Sequence, residues 1–439
     1  MQRSKKPHKR GFLLLDKTAM HLYLSTTMSY TPKPEILNKY ADLMVNFALN
    51  MGRGMRKGDV VRLSAAESAK PLYMAIHNAI IKAGGHVIPH YAPDEENGDM
   101  RRNTSTSRFF YEHASDEQLT FFPAKYLRGV IDQIDHSLFI LADKDMHLMD
   151  GINPKKIMAR GLAMKPFMDW RNRKERDGKF TWTLCMYGTA AMAKEAGLSE
   201  EEYWKQIIKA CYLDKKDPKK EWKKLYKEIE MYKQRLNKLS PKVDKLHVKG
   251  PDADLFVRLG ERRQWLAGRG YNMPSFEIFT SPDWRGTNGW IRFNQPLYRY
   301  GSKITGIQLW FKNGKVVKSK AKTNEKLLKT MIATKNADKI GEYSLTDGRH
   351  SRITKFMAET LYDENVGGTY GNTHLALGMA YKDACVGNLA KMKDSEFKKL
   401  GFNDSSVHTD IISTTRRTVT AHLKNGSTKV IYKDGKFVL

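Results

Sequence analysis

Between Val60 and Met186 short apolar runs of strand length alternate with longer stretches whose apolar residues recur at helical spacing. That alternation confines this part of the chain to a sheet whose strands are joined by helices. The clearest unit starts with a strand at Val60 to Leu63 and a helix from Lys70 to Ala83. A Gly84-Gly85 turn and a second strand at His86 to Pro89 complete it. Leu138 to Ala142 and Thr181 to Met186 read as further strands, with helices at Pro154 to Met164 and Glu200 to Cys211. Strands separated by crossovers of this length pair in parallel, so a mostly parallel sheet with helices on both sides is predicted. A helix at Pro34 to Leu49, with Ile36, Tyr40, Leu43, Met44 and Phe47 on one face, precedes the sheet, and residues 1–27 form a basic extension.

After Gly250-Pro251 the pattern changes to short strands and tight turns. Phe256 to Leu259, Ile307 to Phe311, Lys315 to Ser319, Val419 to Leu423 and Thr428 to Tyr432 are strand-like, while Asn313-Gly314, Asn425-Gly426 and Asp434-Gly435 are hairpin turns. The expected organisation is therefore α/β. An N-terminal α/β domain over 28–250 is followed by a strand-rich α+β domain over 251–439. A chain of 439 residues exceeds what one hydrophobic core usually organises, in keeping with two domains.

Lys and Arg number 76 against 48 Asp and Glu, a formal charge of +28. The excess runs along the whole chain, which describes a solvated surface rather than a binding stripe, and no zinc-finger, RNA-recognition or phosphate-loop pattern accompanies it. Nucleic acid is therefore not expected as the principal ligand, although a basic nucleic-acid-binding protein stays a rival reading. The lysine-rich segment 214–248 follows the same logic. Trp222, Leu225, Ile229, Tyr232 and Leu236 recur at helical spacing, so the lysines lie on the outer face of a packed helix. Cys185, Cys211 and Cys385 are odd in number and far apart, which indicates neither a disulfide framework nor a paired-cysteine metal site. The apolar run Phe12 to Leu15 stops at Asp16, too short for a signal-peptide core, and no run approaches membrane-spanning length, so a cytoplasmic protein is expected.

The second half also holds the residues suited to chemistry. His374, His408 and Asp410 follow the carboxylates Glu277, Glu342 and Glu364. Two imidazoles with several carboxylates are the donors that divalent zinc, cobalt or manganese accept. If Val407 to Ile411 is extended, His408 and Asp410 project from one face. On residue identity alone an ordinary core or surface role is the commoner one for a lone histidine, and Glu342 fits a solvated position as well.

Several ordered motifs add to this. Asn272-Met-Pro-Ser-Phe-Glu277-Ile-Phe-Thr-Ser-Pro-Asp283, Gly341-Glu342, Asp363-Glu364-Asn365, His374-Leu-Ala-Leu-Gly-Met-Ala-Tyr381 and Asn403-Asp-Ser-Ser-Val-His408-Thr-Asp410 resemble successive segments of the thermophilic metallo-aminopeptidases of the aminopeptidase T and aminopeptidase S type. The resemblance extends more weakly back through Trp204 to Trp222 and Lys57-Gly58-Asp59. It implies that Glu277, Glu342, His374, His408 and Asp410 bind two divalent ions, that Glu364 is a further ligand or a proton-handling group, and that Tyr381 is the catalytic tyrosine. It also implies a homodimer acting on peptides with a free N-terminus. In one uninterrupted helix His374 and Tyr381 would share a side, two turns apart. Two departures stand out. Phe276 occupies the place of the first of two glutamates in many members, leaving Glu277 as the expected ligand. The segment Val366 to Thr373, with three glycines, lengthens the link between Glu364 and His374. A catalytically inactive relative that binds peptides or partners is the remaining alternative.

Overall fold

Val60–Ala66 lies inside a four-stranded sheet, between His86–Ala92 on one side and His136–Leu141 on the other, with Thr181–Met186 completing the order, and every pair is parallel. The computed structural model describes residues 30–94, 96–97, 106–268, 270–300 and 302–439; the basic extension at 1–27 lies outside them. Val61 to Ala65 are all buried, as expected of a strand covered on both faces. The Lys70–Lys82 helix connects the first two strands and buries Leu72, Ile76 and Ile80 at helical spacing. Pro34–Leu43 is α-helical as read, but the wider turns of a π-helix continue it through Met44–Ala48. The outer side of Thr181–Met186 does not end the hydrogen bonding. Leu184 N–H donates to Tyr271 O at 2.8 Å and Met273 N–H donates to Leu184 O at 2.9 Å, which fixes the Asn272 segment on the sheet edge.

Pro218–Leu239 is a single helix that buries Trp222, Leu225, Ile229 and Leu236, with Asp217 capping its first turn. Lys233 is buried beside them, paired to Glu230 at 2.7 Å, whereas Tyr232 is only half-buried. The remainder is built from antiparallel strands. One sheet has eight, from Lys315–Lys320 through Gln308–Lys312, Asn288–Arg292, Ala253–Arg258, Val243–Gly250, Thr418–Leu423 and Thr428–Lys433 to Lys436–Phe437. The other has five, in the order His408–Ser413, Asn372–Gly378, Ile340–Thr346, Glu277–Thr280, Leu266–Ala267. Polar ties join the two. The Tyr432 hydroxyl donates to Thr346 O at 2.9 Å, and Asp252, buried and paired to Arg417 at 3.1 Å, accepts from Ser413 Oγ at the end of the five-stranded sheet. Residues Pro32–Leu439 form one compact unit, so the α/β and strand-rich parts meet without an intervening linker.

The His374–Tyr381 run is not a helix. Asn372–Gly378 is the second strand of the five, hydrogen-bonded on both sides, and Tyr381 lies beyond its end. Leu, Ala and Met favour helix in isolation, but pairing with two neighbouring strands overrides a preference of a few tenths of a kcal/mol per residue. Gly378 ends the strand at φ +105°, where a Cβ would run into Val407 O.

Candidate metal centre

Strand alternation assembles the site. In the five-stranded sheet Glu277 is in register with Thr346, Ser344 with His374, and Ala376 with both Glu342 and Asp410, while Gly378 faces His408. Partners in register share a face, so Glu277, Glu342, His374, His408 and Asp410 all project from the same side of four adjacent strands. Their alternates Ile278, Tyr343, Leu375 and Ile411 are buried on the other side. The residues in register with Glu342, Asp410 and His408 on the strand between are the small Ala376 and Gly378.

The distances follow from this register. His374 Nε2 lies 3.3 Å from Glu277 Oε2, 3.3 Å from Glu342 Oε1 and 3.9 Å from Asp410 Oδ1. His408 Nε2 lies 3.5 Å from Glu342 Oε2 and 3.4 Å from Asp410 Oδ1. Ser344 Oγ donates to Glu277 Oε2 at 2.7 Å. The Nδ1 of His408 is 2.8 Å from Met379 O, a contact that requires a proton on Nδ1 and leaves Nε2 as a lone-pair donor. That Nε2 is buried without a well-aligned hydrogen-bond partner.

Glu364 reaches the cluster from outside the sheet, after the short Thr360–Asp363 helix. Asp363 anchors that turn by accepting Met357 N–H at 2.7 Å and Glu359 N–H at 3.0 Å, and its carboxyl is held well above the usual range by burial. Asn272 Nδ2 donates to Glu364 Oε1 at 3.0 Å, and Asn365 links the same turn to the Phe276 N–H at 2.7 Å. Asn272 and Asn365 were not singled out from the sequence as site residues. Both lie inside motifs quoted there; for Asn365 the signal is its place directly after Glu364, whereas nothing beside Asn272 in the sequence marks it. Donor atoms within 4.8 Å of one another form three overlapping groups: Glu277, Glu342 and His374; Glu342, His408 and Asp410; Glu364, His374 and Asp410. All six acidic and imidazole residues picked from the sequence are therefore gathered in one place.

Tyr381 stands at the rim. Its N–H donates to Ser281 Oγ at 2.8 Å, and its ring packs edge-on against the His408 ring, centroids 4.8 Å apart. Contact with His408, on the strand adjacent to that of His374, and not a helical relationship with His374, brings the Tyr381 ring to the cluster. Phe276 is fully buried and stacked on Trp222, centroids 5.2 Å apart, while Glu277 next to it faces His374. An aromatic at position 276 thus fills the core and removes no donor from the cluster.

Four carboxylates and two imidazoles in a buried space carry surplus negative charge. Burial, then repulsion from Glu342, pushes the Glu277 carboxyl up to about 7, with His374 pulling the other way. Burial and the neighbouring carboxylates also hold Glu364 well above its ordinary value. Burial lowers the affinity of His374 for a proton, but the hydrogen bond to Glu342 and attraction to Glu277 and Asp410 outweigh it and raise the imidazole to about 9. His408 also moves upward, burial being outweighed by Asp410, Glu342 and the Met379 carbonyl. Such a cluster is compensated by divalent cations, and oxygen and imidazole donors at these separations fit zinc, cobalt or manganese.

The sequence pattern of the thermophilic metalloprotease (M29) family matches residues 33–437. Aminopeptidase PepS of Streptococcus thermophilus is 28% identical over 428 residues, covering 92% of this chain and 98% of its own. Aminopeptidase T of Thermus thermophilus is 26% identical over 428 residues, with 92% and 98% covered. Among solved structures, wild-type AmpT from Thermus thermophilus superposes with a TM-score of 0.71 at 24% identity, covering 92% of this chain and 99% of that one, a likeness of fold.

Proposed function

The chain belongs to the thermophilic metalloprotease (M29) family and is a metal-dependent aminopeptidase of it, and from that premise we propose that its six clustered side chains hold two divalent cations that serve the removal of N-terminal residues from peptides. The observation that carries the reading is the position of Glu342. Its Oε1 is directed to His374 and its Oε2 to His408, so one carboxylate is shared by two donor groups. Glu277 and His374 complete one side, His408 and Asp410 the other, and Glu364 approaches between His374 and Asp410.

Cations bound there supply Lewis acidity towards the scissile carbonyl and a water acidified to near-neutral pH. The remaining work falls to the chain. Glu364, fixed at Oε1 by Asn272, has Oε2 for a proton taken from the attacking water and returned to the leaving amine. Glu277 is the second carboxyl suited to hold that proton. The Tyr381 hydroxyl donates to the oxyanion of the tetrahedral intermediate from its place against His408. The free α-amine of the substrate is a cation that the acidic cluster attracts, and this restricts cleavage to the first residue. We further propose the functional division near residue 250, a cytoplasmic location and a homodimer, the last two resting on the sequence reading alone.

Aminoacyl-anilides with free and acetylated amines test the function. The free form is hydrolysed, a chelator abolishes turnover, and zinc, cobalt or manganese restores it. Hydrolysis that survives complete chelation, or equal cleavage of the acetylated form, would refute the proposal.

A further inference from the structure

In the eight-stranded sheet, the alternation that buries Leu246, Val248, Leu255, Ile291 and Leu309 directs their neighbours outward. Along one cross-strand row Lys318, Trp310, Trp290, Asp254 and Lys249 stand in register on five adjacent strands. The next row carries Asn288, Phe256 and His247. The rings of Phe256 and His247 are stacked, centroids 4.2 Å apart and 13° from parallel. Lys318 Nζ sits 4.7 Å from the Trp310 ring and Lys245 Nζ 5.3 Å from the Phe256 ring, while Arg258, Arg292 and Lys312 extend the same face as exposed cations. The acids of these eight strands are Asp244 and Asp254, and Asp254 is engaged with His247 at 2.8 Å. Read from the sequence, the positive charge is dispersed; in the fold part of it is gathered on one aromatic sheet face, away from the metal cluster.

We propose that this face binds single-stranded nucleic acid, with Trp290 and Trp310 as stacking platforms and the surrounding lysines and arginines neutralising phosphates. Neighbouring strands lie about 4.8 Å apart, so rings on adjacent strands offer successive splayed bases a platform each. The rings are half-buried, so little side-chain freedom is lost on binding. A duplex offers no unstacked base faces to such a surface. A second copy of this chain, mated face to face, would set cations against cations. An acidic peptide would use the cations and leave the tryptophan pair idle.

The test is a fluorescence-anisotropy titration of the full-length protein with labelled single-stranded oligouridine and oligothymidine, a duplex of equal length, and polyglutamate, over a series of salt concentrations. Single strands bind tighter than duplex or polyglutamate and quench tryptophan fluorescence. Trp290→Ala and Trp310→Ala each weaken binding about tenfold without changing the salt dependence. Lys318→Ala, on an exposed side chain, lowers the slope of log affinity against log salt by about 0.7. Aminoacyl-anilide hydrolysis stays at the parent rate in all three variants and shows that they are folded. Equal binding of duplex or polyglutamate, or tryptophan variants that bind like the parent, overturns the proposal. So does a wild-type dimer that Trp290→Ala converts to monomer, which would assign the face to a second copy.

Discussion

Tyr381 and His374 make different demands on the same cluster, and substitution separates them. Tyr381→Phe removes only a hydroxyl, so turnover falls about 10²- to 10³-fold, the usual cost of losing one oxyanion donor, while bound metal is unchanged. His374→Ala instead loses metal, because His374 belongs to two of the three donor groups. Kinetics paired with elemental analysis distinguish the two, and full activity in Tyr381→Phe would remove that residue from the mechanism. Residue types announced these positions unevenly. His408 and Asp410 were legible as a pair because a two-residue spacing in a strand means one face. The His374 and Tyr381 pairing was not, because the spacing of seven invites a helix and the strand neighbours that decide otherwise come from 30 or more positions away in the sequence. Asn272 was missed for a related reason: its position depends on Leu184, in a different sheet.

Elements that carry no ligand still hold the site together. Glu195, at the end of the Ala190–Glu195 helix, accepts from the Tyr298 hydroxyl at 2.6 Å and from Lys303 Nζ at 2.7 Å, and its other oxygen is 3.1 Å from His147 Nε2. These contacts tie the Leu297–Arg299 and Ser302–Ile304 hairpin, which touches the His408–Ser413 strand, to the α/β part. Partial burial works against ionisation of Glu195, but the hydrogen bonds from Lys303, Tyr298 and His147 outweigh it and push its pKa down to about 2. The sign is that of a depressed carboxyl. Its contribution is complete above the unfolded value of about 4.3 and is lost as pH falls towards 2. Glu195→Gln therefore lowers unfolding free energy by roughly 1–3 kcal/mol at pH 7, and by progressively less below pH 4. Denaturant titrations of both proteins at several pH values measure this; a deficit as large at pH 3 as at pH 7 would exclude the carboxylate as its source. At this scale the sequence was informative about element type from Val60 to Met186 and about the hairpin turns after Gly250. Strand order was not legible, since it depends on partners far apart in the chain.

For the whole molecule the formal charge of +28 sets long-range preferences. Acidic peptides are therefore expected to be cleaved with a lower KM than basic ones at low salt, the difference shrinking as added salt screens it. Equal KM values at low ionic strength would contradict this. The membership of the chain in its family was readable in ordered motifs, whereas the gathering of cations onto one sheet face was not, because alternation sorts them only once the register is known. The central claim is that six side chains from four strands and one turn hold a pair of cations. Its most direct measurement is the metal content per chain after chelator-stripped protein is dialysed against zinc, cobalt or manganese, followed alongside aminoacyl-anilide turnover. Two equivalents are expected in the parent, with a clear loss in Glu342→Ala and activity that returns with the metal; a parent chain that binds none, or that turns over substrate at full rate without any, would rule out a metal-holding cluster.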